Sequence, residues 1–238
     1  MKRAVNCGLV KADNMKQAIL LLSFGTPRQP SDLLPYLTSI RRGKIPTERE
    51  LKVLTARYDA IGQWDNKLLQ TMGEEQKKTL KSLLAIDAMY LAYLHMPNSM
   101  EQAVESIAAA GYTSILCIVT SPFYSMVGTG AYKRKLHSIL RAYPDISCEI
   151  IKSWWNRPQF FEYWRSQLMA ANPLQGDTAC IFSAHSVPTS TVGSYEDEVM
   201  SASNQIAKMV GLNHWYQAWQ SAAPYGEWLG PTIESVIE

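Results

Sequence analysis

Two histidines, a pair of arginines and a set of aromatic residues are the parts of this chain whose types and spacing can do chemistry. His185 follows the apolar run Ala179-Cys180-Ile181-Phe182 and precedes Pro188, within Ser183-Ala184-His185-Ser186. His95 follows residues 88–94 in the same way. Both stand where a β-favouring run gives way to a loop, and the carboxyl ends of strands are where open α/β sheets bind ligands. A neutral imidazole placed there binds a divalent transition metal or accepts a proton near pH 7. The chain has no Gly-x-Ser-x-Gly elbow, so Ser183 and Ser186 are read as shaping the loop, not as nucleophiles. Arg41 and Arg42 have two readings: a solvated pair supporting a helix C-terminus, or a planar fork for carboxylates. Trp154, Trp155, Trp164, Trp215, Trp219 and Trp228 serve equally as core or as walls for a flat apolar ligand. His137, inside a helical stretch, and His214, opening a strand, are read as surface residues.

The elements that must position these groups alternate. Residues 17–24 form an unbroken apolar strand meeting Gly25-Thr26-Pro27. Residues 32–40 read as a short helix, and Thr47 with Glu50 forms a capping box that opens another, ended by Gly62. Helix over 67–84, strand over 88–94, helix over 100–110, strand over 114–120 and helix over 132–143 complete a first series. A second series begins with a strand at 147–153 and continues with helix 158–171, the strand leading to His185, helix 195–210 and strand 214–220. This rhythm predicts parallel sheets built of βαβ units in two similar lobes, residues 1–142 and 143–238, with residues 1–14 irregular. Residues 232–238 start a further helix. A crossover helix in a parallel sheet leads to another strand, so the second lobe is expected to be incomplete and the chain truncated at its C-terminus.

Composition excludes several classes. The chain has 238 residues, 47% of them hydrophobic, and 23 basic against 21 acidic residues leave a net charge of +2. That balance leaves no electrostatic footprint for nucleic acid. No apolar run approaches the roughly 18 residues of a membrane span, and the cysteines lack metal-ligand spacing, which reads as a reducing, cytoplasmic setting. Neither a Walker loop nor a complete dinucleotide fingerprint is present.

Five stretches together carry a resemblance. Ser23-Phe24-Gly25-Thr26-Pro27, Ile40-Arg41-Arg42-Gly43, Arg57-Tyr58-Asp59-Ala60-Ile61-Gly62, Ser183-Ala184-His185-Ser186-Val187-Pro188, and Trp219-Gln220-Ser221 with Trp228-Leu229-Gly230-Pro231 occur in the order found in ferrochelatases. The Ala-His-Ser version resembles bacterial enzymes acting on coproporphyrin. The resemblance implies two Rossmann-like, chelatase-type lobes with parallel sheets flanked by helices, and insertion of ferrous iron into a porphyrin, coproporphyrin III, in haem biosynthesis. By position it implies His185 as catalytic residue and metal ligand, Phe24, Arg41, Arg42 and Tyr132 as substrate-binding, and His95 as a weaker metal ligand. It further implies Fe²⁺ as substrate, no tightly bound cofactor, no iron-sulfur cluster, a cytoplasmic enzyme, and haem-pathway enzymes as partners.

Two departures accompany the match. After Gly62 relatives read Gly-x-Ser-Pro-Leu, whereas this chain has Gln63-Trp64-Asp65-Asn66-Lys67-Leu68. The family's catalytic Glu belongs to a later strand that this chain does not contain, so activity is expected to be impaired. The alternatives are a chelatase for another tetrapyrrole and metal, and a noncatalytic porphyrin- or haem-binding protein.

Overall fold

The computed structural model describes residues 16–66, 68–171, 178–223 and 225–238. The expectation of irregular chain over residues 1–14 lies outside them. The described residues form an α/β fold with parallel sheets flanked by helices. By contacts the chain groups into two units, one holding the residues through Leu21 with Gly25–Cys117 and Ile139–Glu149, the other Leu22–Phe24, Ile118–Ser138 and Ile150–Glu238.

The larger sheet has four strands: β1 (Gln17–Ser23), β2 (Met89–Tyr93), β3 (Ser114–Val119) and β4 (Ser147–Ile151), in the order β2-β1-β3-β4. β1 buries five consecutive residues, as its unbroken apolar run requires of a strand covered on both faces. Leu20 of β1, Ile115 and Cys117 of β3, and Met100, Val104 and Ile107 of a helix at Ser99–Ala109 are fully buried and form the core of the first unit. β4, expected to open the second series, is instead an edge strand of this sheet. Ser147 donates its N–H to the Thr113 carbonyl at 2.9 Å, and Cys148 lies against Cys117 with 3.7 Å between sulfurs.

The remaining helices of the first unit are α1 (Leu33–Ile40), α2 (Glu48–Ala60), α3 (Gln63–Asn66) and α4 (Leu68–Leu84); the Ser99–Ala109 helix is α5. The short α3 escapes periodicity because four residues span barely one turn. α4 packs on β2 through Gly73, where an added Cβ would lie 3.1 Å from both Leu91 and the Tyr93 hydroxyl. Gly25 turns the chain off β1 at φ +89° with Tyr93 and Met96 close by, a conformation and a space that suit glycine.

The second unit carries α6 (Thr129–Leu140), α7 (Pro158–Ala171), α8 (Tyr195–Val210), α9 (Ile233–Ile237) and the parallel pair β5 (Cys180–His185) and β6 (Trp215–Gln220). α6 starts three residues earlier than its periodicity predicts, because Ser125 clasps its first turn: the Gly128 N–H donates to Ser125 Oγ at 2.8 Å and the Gly130 N–H to the Ser125 carbonyl at 3.0 Å. The core of this unit is built from Val187, Tyr195, Val199, Trp219 and Leu229. α8 faces it with the apolar stripe Val199, Ala202, Ile206 and Val210, spaced three and four residues apart, and Gly211 closes the helix at φ +80°. Among the described residues no helix is long and apolar enough to cross a membrane.

Candidate functional site

In the second unit His185 is the last residue of β5, level with Gln220 of β6, and it is exposed. The loop after it is locked on several sides. The Ser186 N–H donates to the Gln220 carbonyl at 2.8 Å, and the buried Ser186 Oγ donates to the Leu229 carbonyl at 2.9 Å. Leu229 donates its N–H to the Val187 carbonyl at 3.1 Å, Pro188 bridges Trp228, and Trp219 donates its N–H to the Pro231 carbonyl at 2.8 Å. The sequence stretches around His185, Trp219 and Trp228 are thus parts of one closed loop assembly. Ser186 has the shaping role expected of it.

This assembly settles the tautomer of His185. Nδ1 lies 2.7 Å from the Ser186 carbonyl oxygen, which can only accept, so Nδ1 carries the hydrogen and Nε2 presents its lone pair. Tyr195 adds a further support that sequence reasoning missed: its hydroxyl donates to the His185 carbonyl at 3.0 Å. Its only sequence signal is an aromatic residue at the first position of a helix after a polar loop. Burial pushes the Tyr195 phenol up to about 12, so it remains a donor at neutral pH. Glu198 was also missed; it accepts from the Tyr124 N–H at 3.0 Å and from Ser194 Oγ at 2.9 Å, joining the start of α8 to the segment before α6.

Phe24 and Tyr132 belong to this unit as well. Phe24 follows β1 and is 48% exposed. Tyr132 on α6 is the opposite case: it is buried, and burial raises its phenol well above the ordinary range. Among the residues read as substrate-facing, it is the one whose ring the structure places in a core.

The first unit holds Arg41, Arg42 and His95. Leu33 and Tyr36 seat α1, whose last turn ends at Arg41, with the Arg41 N–H donating to the Leu37 carbonyl at 2.9 Å. Arg42 then takes φ +56° and Gly43 φ +90°, reversing the chain; for an arginine that left-handed conformation is strained. Arg42 is exposed. Arg41 pairs through Nη1 with Glu50 Oε1. Glu50 is also the closing residue of the capping box: its Oε2 accepts from the Thr47 N–H at 2.7 Å and from Thr47 Oγ1 at 2.9 Å. The Thr47 N–H first, the Arg41 guanidinium second and the Thr47 hydroxyl third hold the Glu50 carboxyl down at about 2.

His95 comes two residues after β2 and is half-buried. Its Nδ1 is 2.9 Å from Ser39 Oγ, and the Tyr36 ring meets it edge-on at 6.3 Å between centroids. Ser39 thereby ties His95 to the helix that ends at Arg41. In the changed stretch after Gly62, Gln63 Nε2 donates to the Pro27 carbonyl at 3.0 Å and to Thr26 Oγ1 at 3.3 Å, tying α3 to the loop after β1. Among the described residues no three His, Cys, Asp or Glu side chains converge.

The ferrochelatase family profile matches residues 16–238. The chain belongs to the ferrochelatase family. A coproporphyrin III ferrochelatase of Staphylococcus aureus is 30% identical over 236 residues, which cover 93% of this chain and 76% of that protein. Another from Halalkalibacterium halodurans is 31% identical over 234 residues, covering 93% of this chain and 75% of that one. Among solved structures, SirB from Bacillus subtilis with Fe³⁺ has a TM-score of 0.57 at 12% identity, covering 93% of this chain and 70% of that chain. The sirohydrochlorin chelatase SirB of Bacillus subtilis subspecies spizizenii with cobalt gives 0.54 at 12% identity, covering 86% and 67%. These two likenesses carry the fold. Membership of the ferrochelatase family makes the chain a metal chelatase by kinship, acting on a porphyrin.

Proposed function

We propose that this ferrochelatase-family chain inserts ferrous iron into coproporphyrin III, the ring named for its bacterial relatives, and that His185 is the catalytic residue. The observation that carries the proposal is the fixed tautomer of His185 at an exposed strand end. Metallation replaces two pyrrole protons by one Fe²⁺. Nε2 accepts a pyrrole proton while Nδ1–H stays bonded to the Ser186 carbonyl. Because the ring is exposed, it returns that proton to water and is ready for the second. Nε2 is also the donor that would hold the incoming iron, and His95 is a separate, weaker metal ligand. Arg41 and Arg42 meet the carboxylates on the porphyrin rim, and Phe24 supplies apolar wall. Tyr132 completes the proposed substrate-binding set, although its ring is buried on α6.

The proposal also covers the setting: iron as a substrate with no resident cofactor or iron-sulfur cluster, a cytoplasmic location, and other haem-pathway enzymes as partners. The test is anaerobic Fe²⁺ insertion, with Zn²⁺ as an alternative metal, followed by absorbance. His185→Ala should lower the rate by about 10²- to 10⁴-fold with porphyrin affinity unchanged. Undiminished insertion by that variant would remove His185 from the mechanism. Saturable porphyrin binding with no turnover in the unaltered chain would make it a carrier instead.

A further inference from the structure

The capping box of α2 does more than start a helix. Glu50 lies nine residues beyond Arg41, and its two oxygens have divided tasks: Oε2 is held by the backbone and side chain of Thr47, and Oε1 is held out to Arg41 Nη1. The carboxylate is thereby fixed before it meets the guanidinium, so pairing costs little side-chain entropy on its part. With its carboxyl near 2, Glu50 is anionic throughout the physiological range. Arg41 is about one-third exposed and remains within reach of ligands. A porphyrin rim carboxylate has the same charge and the same fork geometry as Glu50.

We propose that Glu50 is an intramolecular competitor for Arg41, holding the place of a porphyrin carboxylate and weakening the binding of carboxylated rings. The inference rests on the reading of Arg41 as a porphyrin anchor. Ring binding exchanges one carboxylate for another on the guanidinium, and release lets Glu50 return without rebuilding the turn. Substrate and metallated product carry the same rim carboxylates, so the effect falls equally on both. Interactions made equally with substrate and product hold the product back without speeding the chemistry, and trimming them favours turnover. Glu50 is in these terms a positioning and affinity-setting residue, remote from the reacting nitrogens.

The experiment is a fluorescence titration of coproporphyrin III, and of a porphyrin with esterified side chains, into the 238-residue chain and its Glu50→Gln and Arg41→Ala variants. Gln at this position keeps the capping box, and far-UV circular dichroism verifies that α2 is intact. An exposed ion pair of this kind corresponds to a change of about two- to fivefold. Glu50→Gln should tighten coproporphyrin by that factor and leave the ester unaffected, while Arg41→Ala should weaken coproporphyrin alone. If Glu50→Gln binds coproporphyrin equally or more weakly while Arg41→Ala still weakens it, the competitor role is overturned and the anchor stands. If neither variant changes coproporphyrin affinity, the anchor reading falls together with the inference built on it.

Discussion

β1 and β5 share the same sequence signal, a short apolar run ending in a loop, yet they are buried to different degrees. β1 lies between β2 and β3 and buries five residues in succession; β5 has β6 as its partner among the described residues, and Cys180, Ile181 and Phe182 are half-buried. An apolar run therefore announces a strand, while neighbours on each side decide how much of it leaves water. The second unit finds its stability elsewhere, at the carboxyl end of its strand pair, where Trp219, Tyr195, Val187 and Leu229 pack beneath the loop that presents His185.

That contrast is open to measurement by chemical denaturation. Trp219→Ala, emptying the centre of the loop core, should cost about 3–5 kcal/mol and abolish the ordered presentation of His185; a cost below about 1 kcal/mol would place the unit's core elsewhere. Leu20→Ala in the covered strand should cost about 2–5 kcal/mol, and Ile181→Ala in β5 about 1 kcal/mol. Equal losses at the two strands would break the comparison, since they would mean that β5 is as well covered as β1.

The smallest effect concerns Tyr195, whose hydroxyl joins the loop to its core. Tyr195→Phe should cost about 1 kcal/mol and lower the metallation rate through a less well held His185. Its folded pKa is raised, from an ordinary 10.0 to about 12. The stabilisation it provides is therefore fully present below pH 10 and is lost as pH rises through about 12. Ultraviolet titration of the phenolate, compared with Tyr195→Phe, should reveal one tyrosine with a midpoint near 12. A midpoint near 10 would detach Tyr195 from the core.

Features set by adjacent residues were legible in the sequence. The strand at 17–23, the α2 capping box and the stop of β5 at His185 each follow from a few consecutive side chains. The family resemblance rested on short motifs of the same kind. Features that depend on chain reversal were not legible. The pairing of Arg41 with Glu50 depends on the left-handed turn at Arg42 and Gly43, and the Ser39–His95 hydrogen bond joins positions 56 apart. The contacts of Tyr195 and Glu198 likewise arise from where α8 lands. β4 was placed in the wrong series because alternation of strand and helix gives element order and carries no record of which edge a strand joins. Tyr132 was read from motif position as facing substrate, and burial on α6 is a property that position alone does not convey.

Ser186 offers its hydroxyl to a carbonyl 43 residues away, and the N–H of Leu229 returns to Val187. His185 is thus aimed by chain synthesised long after it, and its final orientation belongs to the late part of folding, when those long-range contacts close. The same connection makes the stretch around Tyr225, which is 78% exposed, a remote point of control. A single proteolytic cut there would leave every motif residue present and would free the histidine from the frame that gives its lone pair a direction.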